Sequence, residues 1–69
     1  LAVEFLEKAT ILEPEDALII SHLGDAYWQT ERYAEAQFKW RYAAQLADDE
    51  DLQAELQTKL ASGLAATGQ

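Results

Sequence analysis

The chain contains no cysteine and a single histidine, His22. Without cysteine it has no disulfides and no thiolate metal sites, and one histidine leaves little other metal chemistry, because a zinc site needs three or four ligands. His22 and Asp25 stand three residues apart and would supply only two ligands. Their spacing is that of a local pair on a helix surface. We therefore expect neither a metal nor another cofactor.

Basic residues are scarce as well. Five lysines and arginines stand against thirteen aspartates and glutamates, which gives a formal net charge of -8. Such a charge repels phosphate backbones and anionic lipid headgroups, so nucleic acid and membrane surfaces are poor candidates as partners. No apolar run approaches the roughly 18 residues that span a bilayer, and the first residues do not show a basic stretch followed by an apolar one. Because the sequence begins at Leu1 rather than methionine, we interpret it as part of a longer protein.

Proline and glycine are rare, with one and three residues among the 69 of the chain. The sequence is instead rich in alanine, leucine, glutamate and glutamine, which helices tolerate best. A chain of this length forms one small domain and has no room for a deep catalytic cleft. We therefore predict an all-α domain.

Apolar residues recur every third or fourth position in four stretches, which predicts four helices. Short segments with helix-breaking or capping residues separate them: 14–16, 30–32 and the acidic run 48–51. Carboxylates in that acidic run suit the positive end of a helix dipole, so we interpret it as a cap rather than an acidic recognition tail. The fourth helix then carries one apolar stripe, which consists of Leu52, Leu56, Leu60 and Leu64. Short connections indicate antiparallel neighbours.

Part of the pattern repeats along the chain. Residues Ala36, Trp40 and Ala43 have the same spacing as Ala2, Leu6 and Ala9, at an offset of 34 residues. Together with this offset, the run Ile20-x2-Leu23-Gly24-x2-Tyr27 followed by Ala36-x3-Trp40 resembles the tetratricopeptide repeat. The resemblance implies an α-solenoid of antiparallel helix hairpins. Residues 1–16 would be the second helix of a preceding repeat, 17–50 one complete repeat, and 51–69 a C-terminal capping helix and tail.

Gly24 lies in the middle of the second predicted helix, where glycine costs about 1 kcal/mol relative to alanine. We attribute it to a close approach of the second and third helices, with Ala36 opposite and large aromatic side chains beside the contact. The chain departs from the family pattern at three positions, since Ile20 replaces a tryptophan, Asp48 a proline and Glu31 a frequent turn glycine. At Glu31 we expect a turn that is either slightly strained or differently shaped.

The resemblance implies a non-catalytic scaffold that binds a protein or peptide in a groove. The groove positions carried onto this chain are Leu18, Ser21, Asp25, Trp28 and Gln29. Trp28 beside Asp25 would suit a basic side chain of the partner, through cation–π and ionic contacts. Alternatively, Trp28 packs against the capping helix. Ser21 and Asp25 do not match the lysine and asparagine residues with which some members grip a terminal carboxylate.

Catalysis is not expected, although Ser21, His22 and Asp25 invite a hydrolase interpretation. Adjacent residues on a helix point about 100° apart, which separates the serine from the histidine. Phe38 and Tyr42 stand one turn apart, opposite Trp40, and form either an outer-face contact patch or ordinary exposed aromatics.

The alternative function is that of a structural cap that terminates the array and self-associates, while upstream repeats bind the ligand. A truncated first helix would expose Leu1 and Phe5, which favours a homodimer. The sequence leaves the partner and the compartment open.

Overall fold

The computed structural model describes the backbone of residues 2–67 and the side chains of residues 3–63. This part of the chain forms four helices, α1 (Ala2–Leu12), α2 (Ala17–Gln29), α3 (Tyr33–Leu46) and α4 (Glu50–Thr67), which confirms the all-α prediction. Leu1 and the Leu64 side chain, both named above, lie outside the described residues. Across the described range, no helix is both long and apolar enough to cross a membrane.

Acidic side chains begin two of the helices, as the sequence indicates. The Asp16 carboxylate accepts hydrogen bonds from the amides of Leu18 and Ile19, at 3.1 and 3.2 Å, and caps α2. At α4 the Asp49 carboxylate accepts from the Asp51 amide at 3.1 Å. Both contacts satisfy amides that have no partner within the helix. The acidic run therefore caps α4, as predicted.

The α2 and α3 helices form an antiparallel hairpin. Trp40 contacts Ser21, and Ala36 lies next to Gly24. Later residues of α2 therefore pair with earlier residues of α3, which is the pattern of antiparallel helices. A Cβ atom added at Gly24 would lie 2.5 Å from Trp40 Nε1 and 3.2 Å from the Ala36 carbonyl oxygen. The expected close approach at Gly24 is confirmed. The buried core runs through this contact and consists of Ile20, Leu23, Tyr27, Ala36, Trp40, Ala43, Ala47 and Leu56.

The turn between these two helices is strained at the position the sequence indicated. Glu31 has a φ of 67°, in the left-handed region that favours glycine. The Arg32 amide donates to the Tyr27 carbonyl at 2.8 Å, and the Glu31 amide donates to the Trp28 carbonyl at 3.0 Å. These two bonds form a Schellman motif with Glu31 at its left-handed position.

The α4 helix packs against the hairpin, and its backbone departs from helical geometry at Gly63, where φ is 70° and ψ is -177°. A Cβ atom there would clash with Cη2 of Trp28. The break thus brings the α4 backbone directly against the indole ring. The apolar periodicity of residues 51–65 gave no sign of this break, because a leucine follows Gly63 in the expected position.

Candidate interaction surfaces

The five predicted groove residues lie in two different environments. Leu18 and Gln29, near the ends of α2, are exposed, with Leu18 at 52%. Ser21, Asp25 and Trp28 lie between them and face α4, and Ser21 is completely buried. The structure therefore brings three of the five residues together beneath a helix of the same chain.

Lys59 of α4 is the centre of this contact. Its ammonium group donates to Ser21 Oγ at 3.1 Å and to the two Asp25 oxygens at 2.9 and 3.1 Å. A third contact places it 3.1 Å from Glu55 Oε2, one turn earlier on α4. The Lys59 side chain is only 8% exposed. Asp25 also accepts a hydrogen bond from Trp40 Nε1 at 3.1 Å, so its carboxylate joins α2, α3 and α4.

The cation that we expected a partner to place beside Asp25 is supplied by Lys59. It lies 5.9 Å from the centre of the Trp40 ring. Trp28 instead stacks on Trp40, with ring centres 5.5 Å apart. It also makes a T-shaped contact with Tyr33, with ring centres 4.5 Å apart. The ionic contact expected of the groove is thus made within the chain by Lys59, but the aromatic ring beside this ammonium is that of Trp40 and not that of Trp28. Trp28 packs against α4.

Sequence reasoning missed Lys59, although a signal for it was present. Residue 59 follows Leu56 by three positions and precedes Leu60 directly, so it borders the apolar stripe of α4. A lysine at such a position must either extend its ammonium to water or find a buried carboxylate. Which of these occurs depends on what the facing helix presents.

The short distance between Ser21 and Lys59 invites comparison with a nucleophile and its base. No substrate can reach the Ser21 hydroxyl, however, because that side chain is fully buried. His22 Nδ1 lies 3.9 Å from Asp25 Oδ2, and the imidazole is 55% exposed. Among the described residues, no group of three or more histidine, aspartate or glutamate side chains is placed to hold a metal ion. Ser21, Asp25 and Lys59 thus form a polar contact between α2 and α4.

A second polar network joins α1 to the α2–α3 turn. The Tyr27 hydroxyl donates to Glu7 Oε2 at 2.6 Å. Burial, together with the hydrogen bond and the charge of Glu7, raises the pKa of Tyr27 to about 12. The Arg32 guanidinium lies 4.3 Å from the centre of the Tyr27 ring and binds both carboxylate oxygens of Glu35. This network borders an open pocket of about 450 Å³, which Val3, Glu4, Glu7, Ala26, Gln29, Thr30 and Arg32 line.

Large apolar side chains on α1 remain exposed. Phe5, Ile11 and Leu12 are 72%, 75% and 77% exposed. The sequence indicated exposure at Phe5, and the structure adds Ile11 and Leu12. Unpaired apolar side chains of this size are typical of surfaces that contact another helix or chain. Self-association through α1 remains a prediction.

The outer side of α3 carries the second aromatic pair. Phe38 and Tyr42 are 58% and 40% exposed, while Trp40 between them is fully buried, so the pair faces away from the core as expected. With Arg41 and Gln45 they line a hollow of about 140 Å³. Phe38 also borders a larger hollow of about 340 Å³, lined in addition by Tyr27, Ala34, Glu35 and Lys39.

Comparison with known proteins adds no relative from which a role could be transferred. No family model matches the chain, and neither a curated protein nor a solved structure matches it. The function must therefore be argued from the surfaces described above.

Proposed function

We propose that the chain is a non-catalytic protein-interaction module, and that it closes one end of a helical array of the tetratricopeptide kind. The tight Gly24 contact in the α2–α3 hairpin supports this assignment, because such arrays are built from closely packed helix pairs. The contacts of α4 also support it. Asp25 meets Lys59 and Trp28 meets Gly63, so α4 runs in the same direction as α2, as the first helix of a following repeat would.

One observation favours one of the two functions that the sequence left open. The Lys59 ammonium occupies the space beside Ser21 and Asp25, and α4 covers this side of α2. A peptide bound there would have to displace a buried ion pair together with the buried Leu56 side chain. This favours a cap that terminates the array over an open groove for a basic peptide.

The opposite end of the molecule is open. Phe5, Ile11 and Leu12 on α1 are mostly exposed to water. A terminal repeat has one covered and one open side, because each repeat buries its apolar surface only against its neighbours. We infer that α1 is the side on which the next helix of the array, or a second copy of the chain, packs.

Amide NMR of the chain tests this assignment. With basic peptide pools we expect no saturable shifts at Ser21, Asp25 or Trp28. On dilution of the chain alone we expect shifts confined to α1. The Ile11→Lys variant should lose these shifts, since a charge cannot be buried in an apolar contact without a large cost.

Leu18→Lys provides the matched control, because Leu18 is also exposed but lies on α2. It should retain the dilution shifts of the unmodified chain. Saturable shifts at Ser21 and Asp25 with a basic peptide would contradict the cap function and support a peptide-binding groove. An α1 whose amide shifts stay unchanged over the whole concentration range would contradict the packing of a second copy on α1.

A further inference from the structure

The α3 helix differs in charge from the rest of the chain. It contains two basic residues, Lys39 and Arg41, and one acidic residue, Glu35. In each of the other three described helices the acidic residues outnumber the basic ones. Glu35 is moreover bound by Arg32, through hydrogen bonds of 2.8 and 2.7 Å. A chain with a net charge of -8 thus carries one locally positive helix.

The two cations of α3 are available for an external partner. Lys59 is buried against Asp25, and Arg32 is held by Glu35. Over the described part of the chain, neither Lys39 nor Arg41 has a carboxylate within ion-pair distance. Arg41 is exposed, so its guanidinium can present two parallel donors to an incoming carboxylate.

Exposed aromatic rings lie beside these cations. Phe38 and Tyr42 stand one turn apart and, with Arg41 and Gln45, surround the hollow of about 140 Å³. The Lys39 ammonium lies 5.6 Å from the centre of the Phe38 ring. Phe38 is therefore an exposed apolar surface with two cations nearby.

We propose that this α3 outer face, formed by Phe38, Lys39, Arg41, Tyr42 and Gln45, binds an acidic segment of a partner protein. A carboxylate of that segment pairs with Arg41, and a neighbouring apolar side chain packs on Phe38 and Tyr42. Charge complementarity selects the partner, since a basic segment would be repelled by Arg41 and Lys39. Nucleic acid fits poorly, because the many carboxylates elsewhere on the chain repel phosphates.

This binding goes beyond the proposed cap function and uses a different surface. The cap rests on α4 and on the exposed side of α1, whereas the α3 outer face faces away from the buried Trp40. Either proposal can fail while the other holds.

The test is a titration of the isotope-labelled chain with a synthetic peptide that alternates aspartate or glutamate with leucine and phenylalanine. We expect saturable amide shifts at Phe38, Arg41 and Tyr42. Two further peptides serve as probes, one with asparagine and glutamine in place of the acids and one with lysine. Both should bind at least about tenfold more weakly, a difference of about 1.4 kcal/mol.

Two exposed positions supply the variants. Arg41→Gln and Phe38→Ala should each weaken binding of the acidic peptide about tenfold, while circular dichroism shows an unchanged helix content. Lys8→Gln, which removes an exposed cation from α1, is the matched control and should change the affinity less than about twofold.

Several results would overturn the proposal. They are no saturation up to about 1 mM acidic peptide, equal binding of the neutral peptide, and equal binding by Arg41→Gln. Concentration-dependent shifts of Phe38 and Tyr42 in the absence of peptide would assign the face to a second copy of the chain instead.

Discussion

Gly24 shows at the scale of single residues how little room separates α2 and α3. A methyl group there would lie 2.5 Å from Trp40 Nε1 and 3.2 Å from the Ala36 carbonyl. Gly24→Ala should lower the free energy of unfolding by about 1–3 kcal/mol, because the overpacking exceeds the gain in helix propensity. Urea unfolding measures the change. Thr30→Ala, at an exposed position on the same hairpin, should cost less; a stabilised Gly24→Ala variant would contradict the close contact.

At Glu31 a substitution should stabilise the chain, in contrast to the substitution at Gly24. Its φ of 67° places a side chain in left-handed backbone at the Schellman position. Glu31→Gly should raise the free energy of unfolding by about 1 kcal/mol, since the strain of the left-handed conformation is relieved. Thermal unfolding followed by circular dichroism is the measurement. Glu31→Ala keeps the Cβ atom and should give no such gain, so equal stabilisation by both variants would contradict the explanation from strain.

Tyr27 makes stability depend on pH in the alkaline range. Burial, and then the hydrogen bond to Glu7 and its charge, raise the pKa of Tyr27 to about 12 in the folded chain. In the unfolded chain the phenol has its ordinary pKa of about 10. The neutral phenol therefore contributes its full stability below pH of about 10, and this contribution is lost as the pH rises towards and through 12.

The Tyr27→Phe variant isolates this effect. It has no phenol to ionise at position 27, so its stability should fall less steeply between pH of about 10 and 12 than that of the unmodified chain. Urea unfolding at a series of pH values gives both slopes. If stability fell equally steeply with pH in both chains, the pKa of Tyr27 would be the same in the folded and the unfolded state.

At the scale of elements, polar contacts fix how α4 lies on the hairpin. Its leucines recur every fourth residue, so a shift by one turn would again direct leucines inward. Three contacts distinguish the observed register. Gln53 donates to the carbonyls of Ala44 and Ala47 at 2.6 and 2.8 Å, Lys59 binds Asp25, and Gly63 fits against Trp28. A shift that brought Glu55 to the place of Lys59 would set two carboxylates against each other.

Lys59→Met tests the importance of this ion pair. It should destabilise the chain by about 2 kcal/mol, which is less than the roughly 3–5 kcal/mol for a fully buried pair because Asp25 keeps some contact with water. The double variant Lys59→Met with Asp25→Asn should regain part of the loss, since no unpaired charge remains. Glu55→Gln is the control and should cost less than about 0.5 kcal/mol, because that side chain is mostly exposed. If Lys59→Met left the free energy of unfolding unchanged, packing alone would hold α4 on the hairpin.

At the scale of the whole molecule, the charge balance opposes compaction. The chain folds to a radius of gyration of 11.1 Å while it carries a net charge of -8. Addition of about 0.5 M sodium chloride should raise the free energy of unfolding, because salt screens the repulsion among exposed carboxylates more than the buried Lys59 pair. Urea titrations at low and high salt measure this. A loss of stability with salt would mean that attractive surface pairs outweigh the repulsion.

The sequence by itself determined the helices and the hairpin. Periodicity, Pro14 and the acidic caps locate the four helices, because these signals act within a turn or two of the chain. Gly24 indicated the tight contact because glycine departs from what a helix prefers, whereas Glu31 indicated an altered turn because it replaces a glycine of the repeat pattern that the sequence resembles.

Only the tertiary structure decided which side of α2 is free. The five predicted groove residues all lie in α2. Nevertheless, α4 covers Ser21, Asp25 and Trp28 and leaves Leu18 and Gln29 exposed. The Lys59 and Asp25 side chains are 34 residues apart, and the sequence around Lys59 does not specify which carboxylate it meets. Burial and ion pairing at that distance depend on how the helices pack, which is why the contact that favours a cap over a groove appears only in three dimensions.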